Sequence, residues 1–461
     1  MILYEVAQKY QKVVGLDSIF KLLQNRRFII DIKVMLLGEY RMKQFNKTLL
    51  TLCIGLATHQ ASSAGFQLNT QSATGLGRAF AGDAIIADNA SVMSRNPASM
   101  ALFDHAVLSL GATYADTDVK LSDIMYGDVG LDNEHALNTQ SVDASAPAIP
   151  NFFAVVPLDS NWSLGMGLYT NFGAALHYSK DFEASEFGGD TEIKTINAQL
   201  STAYRINKNW SVGAGIDVIR GSGNIKREAT NPQDGKKFTA LEIDSQGTGI
   251  GFHTGIAYEM NADHRFGFSY RYSPEIKAKG DVTSMAIVQR RPAPELYKND
   301  TLHLNLPDLY EFSGYHRLTP RFAVHYSFEY MSWHKFKSLK TDHFNEIKTF
   351  HWKDAWHASI GQTYTLDQNW TLRAGYMYET QAVDKEKSIA LPDSTHHWFS
   401  GGVGYQFDKH HTLDFGITYL AGDSVEVYEK SPKISGLPQP NISGKTSVHA
   451  MLYGLQYSYD F

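Results

Sequence analysis

Hydrophobic and polar residues alternate with period two over much of this chain, and the alternation is clearest at its end. Met451, Tyr453, Leu455, Tyr457, Tyr459 and Phe461 share one face; Leu452, Gly454, Gln456, Ser458 and Asp460 share the other. An apolar, aromatic face opposite a small or polar one predicts a strand with lipid on one side and a lumen on the other. So apolar an edge would pair with other chains if left open, which predicts that the strand closes onto a neighbour.

The same unit recurs upstream at irregular spacing. Asp159-Ser160-Asn161-Trp162 leads into Trp162, Leu164, Met166 and Leu168; Asn207-Lys208-Asn209-Trp210 leads into Trp210, Val212, Ala214, Ile216 and Val218; Asp367-Gln368-Asn369-Trp370 leads into Trp370, Leu372, Ala374, Tyr376 and Tyr378. Each reads as a tight polar turn followed by a strand. Trp162, Trp210 and Trp370 fall at the first strand position, where an amphipathic ring anchors at the membrane interface, and Phe461 is a fourth anchor at the last strand's end. Arg265-Phe266, Arg321-Phe322 and His411-Thr412-Leu413 open similar alternations, with Val324, Tyr326, Phe328 and Tyr330 on one face. Residues 180–195, 228–246, 277–315, 336–353 and 424–447 are rich in Gly, Pro, Asp and Lys and read as long connections. Short turns at one end and long loops at the other predict a transmembrane β-barrel; a soluble sandwich or propeller does not explain aromatics outside with Gly and Ser inside.

The N-terminal end gives the destination. Lys43 and Lys47, the apolar stretch 49–57 and the small residues Ala61, Ser62, Ser63 and Ala64 make residues 42–63 a secretory signal peptide, with cleavage after Ser63 preferred. Leu52 before Cys53 is wrong for a lipoprotein box. Residues 1–41 lack export character, and the simplest account of them is a mis-assigned start; a cytosolic extension is the rival.

Composition narrows the class. The 461 residues carry 25 Tyr, 25 Phe and 37 Gly, and no run of eighteen apolar residues that would make a membrane helix. Cys53 is the single cysteine and lies in the signal, so the exported chain has no thiol to manage in an oxidising periplasm. A net charge of -6 gives no footprint for nucleic acid. No cofactor or metal motif stands out: Gly444-Lys445-Thr446 has Gln439 where a phosphate loop needs glycine, and Gly75-x-Gly77 lacks its third glycine. The adjacent pairs His396-His397 and His410-His411 would point to opposite faces of a strand, and no Ser/His/Asp grouping can be placed, which disfavours an outer-membrane lipid hydrolase.

Residues 64–105 do not read as strand. They are small and non-alternating, with a short helical pattern around residues 84–93, and predict a compact plug, or hatch, ahead of a barrel at 106–461. Strand character returns at residues 105–117.

Ala64-Gly-Phe-Gln-Leu-Asn, Gly75-Leu-Gly-Arg-Ala-Phe-Ala-Gly82, Ile86-Ala-Asp88 and Ser94-Arg-Asn-Pro-Ala98 together resemble the hatch of the FadL family of outer-membrane long-chain fatty acid transporters. The similarity continues through the Asn-Trp strands to Phe461. It implies an all-β membrane protein: an antiparallel barrel of fourteen strands with a hatch plugging the lumen, in the Gram-negative outer membrane. Partners implied are a long-chain fatty acid or similar hydrophobic ligand, outer-membrane lipid and lipopolysaccharide, and the barrel-assembly machinery, engaged through the C-terminal strand. Asn96, Pro97 and Ala98 match the motif that shapes the exit route in the family; proline fixes its own φ and restricts its neighbour, giving a rigid turn. Thr170, Asn171, Phe172 and Gly173 match a strand that kinks inward beside a lateral opening, and a glycine within a strand marks a bulge or close approach. A ligand carboxylate that stays ionised in a low-dielectric lumen needs a cation or several donors. Arg227 matches a family position near the headgroup and Lys353 a second; Phe66, near the hatch N-terminus, is an apolar contact for the ligand tail. The expected function is passive uptake of long-chain fatty acids with lateral release. A relative carrying an aromatic hydrocarbon is the alternative, since an apolar pocket selects weakly by size.

Overall fold

The computed structural model describes residues 65–144, 146–230, 237–284, 295–343, 347–385, 387–431 and 439–461. The signal-peptide and start-site expectations, with Ala64, lie outside these residues.

Fourteen spanning strands form a closed antiparallel barrel. In chain order they are β1 (Val107–Asp128), β2 (Ala146–Pro157), β3 (Trp162–Tyr169, resuming at Gly173–His177), β4 (Asp190–Arg205), β5 (Trp210–Thr230) and β6 (Lys237–Glu259). Then come β7 (His264–Tyr272 and Glu275–Ser284), β8 (Glu295–Asn305 and Leu309–Thr319), β9 (Phe322–Met331) and β10 (Ala355–Thr365). The last four are β11 (Trp370–Glu379), β12 (His396–Gln406), β13 (His411–Gly422 and Val425–Lys430) and β14 (Pro440–Asp460). Each pairs with its successor, and β14 returns to β1 in a ladder running from Val107/Asp460 to Asp128/Pro440. In β14, Leu452, Gly454, Gln456 and Ser458 are buried while Tyr453 and Leu455 are exposed, so the terminal alternation is the wall of the barrel. No described helix is long and apolar enough to cross a membrane.

The short turns share one chemistry. Asp159 Oδ1 accepts the amides of Asn161 and Trp162, Asn207 those of Asn209 and Trp210, and Asp367 those of Asn369 and Trp370. Asn161, Asn209 and Asn369 then each donate their side-chain amide to a carbonyl of the next strand pair, at Arg205, Glu259 and Gln406. These two demands explain why Asp or Asn stands three residues before Trp and Asn directly before it. The backbone donors hold Asp159 and Asp367 below the ordinary carboxylate range. Trp162, Trp210 and Trp370 face outward, each packed on a tyrosine of the paired strand, Tyr204, Tyr258 and Tyr405, with ring centroids 4.5–4.7 Å apart.

Two expectations are corrected. Three of the stretches read as long loops, 228–246, 277–315 and 424–447, are largely strand: β5 runs to Thr230, β6 starts at Lys237, and β7, β8, β13 and β14 fill most of the rest, whereas 180–195 and 336–353 are mostly loop. Beyond the lipid zone the outward side chains meet water, so Lys226, Glu242, Asp244 and Gln246 replace the apolar face that carries the periodic signal. The helical pattern at 84–93 is not a helix; residues 84–91 are turns and bends, and the helical pieces are α1 (Ala73–Leu76), α2 (Val92–Arg95) and a 3-10 turn at Pro97–Leu102.

Candidate functional site

The segment 65–106 touches every strand of the ring, so it lies in the lumen. Ser109, Asn151, Gln199, Ser313, Ser327, Thr418 and Gln456 reach it by hydrogen bonds from β1, β2, β4, β8, β9, β13 and β14. Elsewhere the wall has glycine where the segment's backbone comes close: a Cβ on Gly402 of β12 would stand 2.8 Å from the Gly77 Cα, and one on Gly361 of β10 2.8 Å from the Arg78 carbonyl oxygen. Gly213, Gly267 and Gly375 serve β5, β7 and β11 in the same way, Gly165 of β3 makes room for the Met93 and Met100 side chains, and Asn96 donates to the Ile256 carbonyl of β6. Gly and Ser on the lumen face are thus the seat of this segment.

Asn96 also caps the 3-10 turn, accepting the Ala98 amide at 3.0 Å, with Pro97 supplying the fixed φ of the first position. The tripeptide packs against Gly213 and Gly255, so it joins the segment to β5 and β6.

The wall is discontinuous at β3. Its ladder with β2 runs from Pro157/Ser163 to Phe152/Leu168 and then stops; the next described pairing on that side is His177 with Asp143. Between them Thr170–Phe172 leave strand geometry, and the backbone bonds go elsewhere. Leu68 donates to the Asn171 carbonyl at 2.7 Å, Gly173 donates to the Phe66 carbonyl at 2.8 Å, and Gln67 forms a bridge with Phe172. On the other edge Thr195 Oγ1 of β4 accepts the Phe172 amide and donates to its carbonyl. Gln71 Nε2 contacts the Thr170 carbonyl and Asn171 Oδ1. Thr170, Asn171, Phe172 and Gly173 therefore form one element with residues 66–71.

Toward the long loops the lumen is apolar. Phe66 is fully buried, its ring centroid 4.8 Å from Trp333, 5.5 Å from Phe336, 5.8 Å from Trp352 and 6.1 Å from Phe172. Gly65 must be glycine: its φ is +66° and a Cβ would meet the Trp333 ring at 2.8 Å. The cluster continues without a break through Ile193, Ile225, Leu302, Leu304 and Val427. Arg227 is buried at its rim, donating to the carbonyls of Asp190 and Lys226 and to Thr191 Oγ1 at 2.6–2.8 Å. Lys353 is exposed, its amide tied to the Ala382 carbonyl. The fold does not join these two cations through any described contact.

Beneath the apolar zone the lumen is ionic. Arg78 bonds Asp83 and Asp88, and Arg95 bonds Glu329 at 3.0 Å with Glu311 at 3.7 Å. The expectation that no Ser/His/Asp grouping forms is corrected: Ser201 Oγ lies 3.1 Å from His253 Nε2, and His253 Nδ1 3.0 Å from Asp217 Oδ2. Register across β4, β5 and β6 assembles them, and adjacent residues in sequence could not reveal it. Gln199 Nε2 sits 2.7 Å from His253 Nε2 and 2.8 Å from the Met93 carbonyl, so the lone pair a hydrolytic base would offer is already taken. Arg271 bonds both Asp217 and the Ser94 carbonyl. The cluster fastens α2 to the wall.

Two loop carboxyls are perturbed. Burial pushes Glu186, which accepts the Tyr126 hydroxyl at 2.8 Å, up to about 7. Burial likewise pushes Asp393 up to about 6, against the amides of Ala382 and Val383 and the nearby His396.

Comparison with known proteins agrees with this architecture. Residues 54–461 match the model of the family described as outer membrane protein transport protein (OMPP1/FadL/TodX). An Escherichia coli protein named long-chain fatty acid transport protein is 33% identical over 452 residues, covering 90% of this chain and 99% of its own. The crystal structure of a Pseudomonas aeruginosa FadL homologue superimposes with a TM-score of 0.76 at 21% identity, covering 86% of this chain and 100% of the other. That of the Pseudomonas putida toluene transporter TodX gives 0.59 at 18%, covering 81% and 94%. The chain belongs to the OMPP1/FadL/TodX family of outer-membrane transport proteins.

Proposed function

We propose that this protein takes up long-chain fatty acids across the outer membrane, holding the acyl tail in the apolar upper lumen and releasing it sideways through the β2–β3 break. One observation carries the reading: the same few residues, 66–71, line the aromatic cluster on one side and complete the broken strand on the other. A ligand that displaces Phe66 therefore pulls directly on Asn171–Gly173. Burial of a methylene contributes about 0.8 kcal/mol, so ten of them hold a tail by about 8 kcal/mol with little polar help. Such a site needs a release route, and no nucleotide chemistry is available to drive one. Residues 64–105 act as the hatch that denies a straight path, and Asn96-Pro97-Ala98 set its floor. Arg227 at the rim is the headgroup cation, with Lys353 a second attraction at the mouth.

Uptake of a monoaromatic hydrocarbon is the second reading, favoured by the likeness to the toluene transporter. Labelled oleate and toluene, given to a transporter-deficient Gram-negative host expressing the chain, separate the two. Saturable oleate uptake weakened severalfold by Arg227→Gln supports the first; toluene uptake alone supports the second.

A further inference from the structure

Five consecutive strands place ionisable side chains at one level of the lumen. Register pairs Glu311 of β8 with Glu329 of β9, Glu329 with His357 of β10, His357 with Glu379 of β11, and Glu379 with His396 of β12. All five are 4% exposed or less. The row lies directly below the apolar cluster, since Met331 and Trp333 follow Glu329, and Trp352 and Ala355 precede His357, in the same packed core. It also reaches the broken seam: Gln67 Nε2, next to Phe66, donates to Glu329 Oε1 at 2.6 Å. A polar cavity of about 20 Å³, room for a water, is lined there by Gln67, Gln71, Asn171, Glu311 and Glu329 among others.

The charges do not balance without protons. Arg95 serves Glu311 and Glu329, and Arg271 serves Asp217, so Glu379 and one further carboxylate have no guanidinium. An unpaired carboxylate in a dry interior costs several kcal/mol. Two imidazoles, which can hold and give a proton, stand beside them. His357 Nδ1 stands 3.8 Å from Glu379 Oε1 and His396 Nδ1 3.6 Å from Oε2. Neither nitrogen, nor Oε1, has a hydrogen-bond partner among the described residues. Trp398 Nε1 donates to Glu379 Oε2 at 3.2 Å and Ser394 Oγ lies 3.4 Å from His396 Nε2. The remaining charges facing the row are Asp83 and Arg271 beside Arg95, and Asp393 beside His396.

We propose that the Glu311–Glu329–His357–Glu379–His396 row is a proton-donating station that neutralises the headgroup of an acid cargo once it has left Arg227 at the rim and passed down through the apolar cluster, before lateral release. An imidazolium N–H bond of His357 or His396 breaks and an O–H bond forms on the cargo carboxylate, leaving neutral imidazole beside charged Glu379; a hydronium ion from bulk solvent, relayed through water in the polar cavity and the Glu311 and Glu329 carboxylates, restores the N–H bond and leaves as water. The glutamates that would repel an anion then admit the neutral acid to the seam and the bilayer. This deepens the uptake reading and rests on it.

The test compares initial rates for hexadecanoate and its neutral analogue hexadecanol between pH 5.5 and 8, above a host lacking the protein, with heat-modifiable gel mobility reporting the folded barrel. The double substitution His357→Gln/His396→Gln is expected to lower hexadecanoate uptake at least fivefold at pH 7.5 and to leave hexadecanol within twofold. Glu379→Gln, which keeps the packing and removes the carboxylate beside both imidazoles, is expected to change the pH dependence of hexadecanoate uptake, with at least a threefold loss at pH 7.5 and little at pH 5.5, and to leave hexadecanol within twofold. Equal loss of both cargoes, or an unchanged acid profile in Glu379→Gln, overturns the proton station while leaving uptake intact as a function. Wild-type protein that carries neither cargo overturns the uptake reading, and the station with it.

Discussion

The closing seam between β14 and β1 and the seam between β2 and β3 are built from the same materials and behave oppositely. The first is hydrogen-bonded from Val107/Asp460 to Asp128/Pro440 with one irregularity, between Ser122 and Met125. The second keeps only its short-turn end, from Ser163 to Leu168. Yet the β3 backbone is not left bare: residues 171–173 bond to Phe66, Leu68 and Thr195 instead of β2. Opening a barrel wall does not require unsatisfied amides; it requires a third partner to take them. Above the break the seam is covered again, where Glu186 after β3 accepts the Tyr126 hydroxyl of β1 and His135 meets Glu183 at 3.2 Å.

The largest expected effect is on the break itself. Gly173→Arg should lower oleate uptake at least tenfold while the barrel still shows heat-modifiable mobility; normal uptake in a folded variant would remove the lateral exit from this seam. Next comes the cover. Burial raises the Glu186 carboxyl to about 7, so the folded state binds its proton more tightly than the unfolded chain does. Its contribution is full below the ordinary carboxylate range and is lost as pH rises to about 7, a change of about 3 kcal/mol. Hydrogen exchange in residues 178–189 should therefore speed up from pH 5 to pH 8 beyond its intrinsic rate, and Glu186→Gln should abolish that excess. Thr195→Val removes both side-chain bonds to Phe172 and should cost about 1–2 kcal/mol, read as faster exchange of the Phe172 amide. Thr418→Val, by the closed seam, loses its bond to the Leu76 carbonyl and should leave Phe172 unaffected. The smallest effect belongs to Trp162→Ala at the intact end of the broken seam: about 1 kcal/mol of stability, from the lost Tyr204 contact, with uptake unchanged.

What could be read from sequence follows what lipid imposes. Trp162, Ile216, Phe328 and Tyr453 are legible because an outward side chain within the bilayer must be apolar, and the Asp/Asn-x-Asn turns because their bonds are local. The upper halves of β5 and β6 were illegible because their outward face meets water there and is polar, as at Glu242 and Asp244, so the apolar outward signal is lost. The motif at 94–98 and the glycine at 173 were singled out mainly through family resemblance; little local distinguishes them from an ordinary turn. The carboxylate–imidazole row and the Ser201–His253–Asp217 cluster are set by register between strands tens of residues apart, which no single-chain spacing encodes.

A segment that touches all fourteen strands also constrains the order of assembly. Residues 65–106 emerge before any strand, yet β14, the last to emerge, must bond both Ala73 through Gln456 and β1 through its ladder. Threading forty residues into a finished, glycine-lined cylinder would have to part the wall they are seated on. If residues 65–106 are seated before the β14–β1 seam zips, they are the mandrel around which the cylinder is rolled, and a misfit at Gly77 or Gly402 would then register first as a slow closing step in biogenesis.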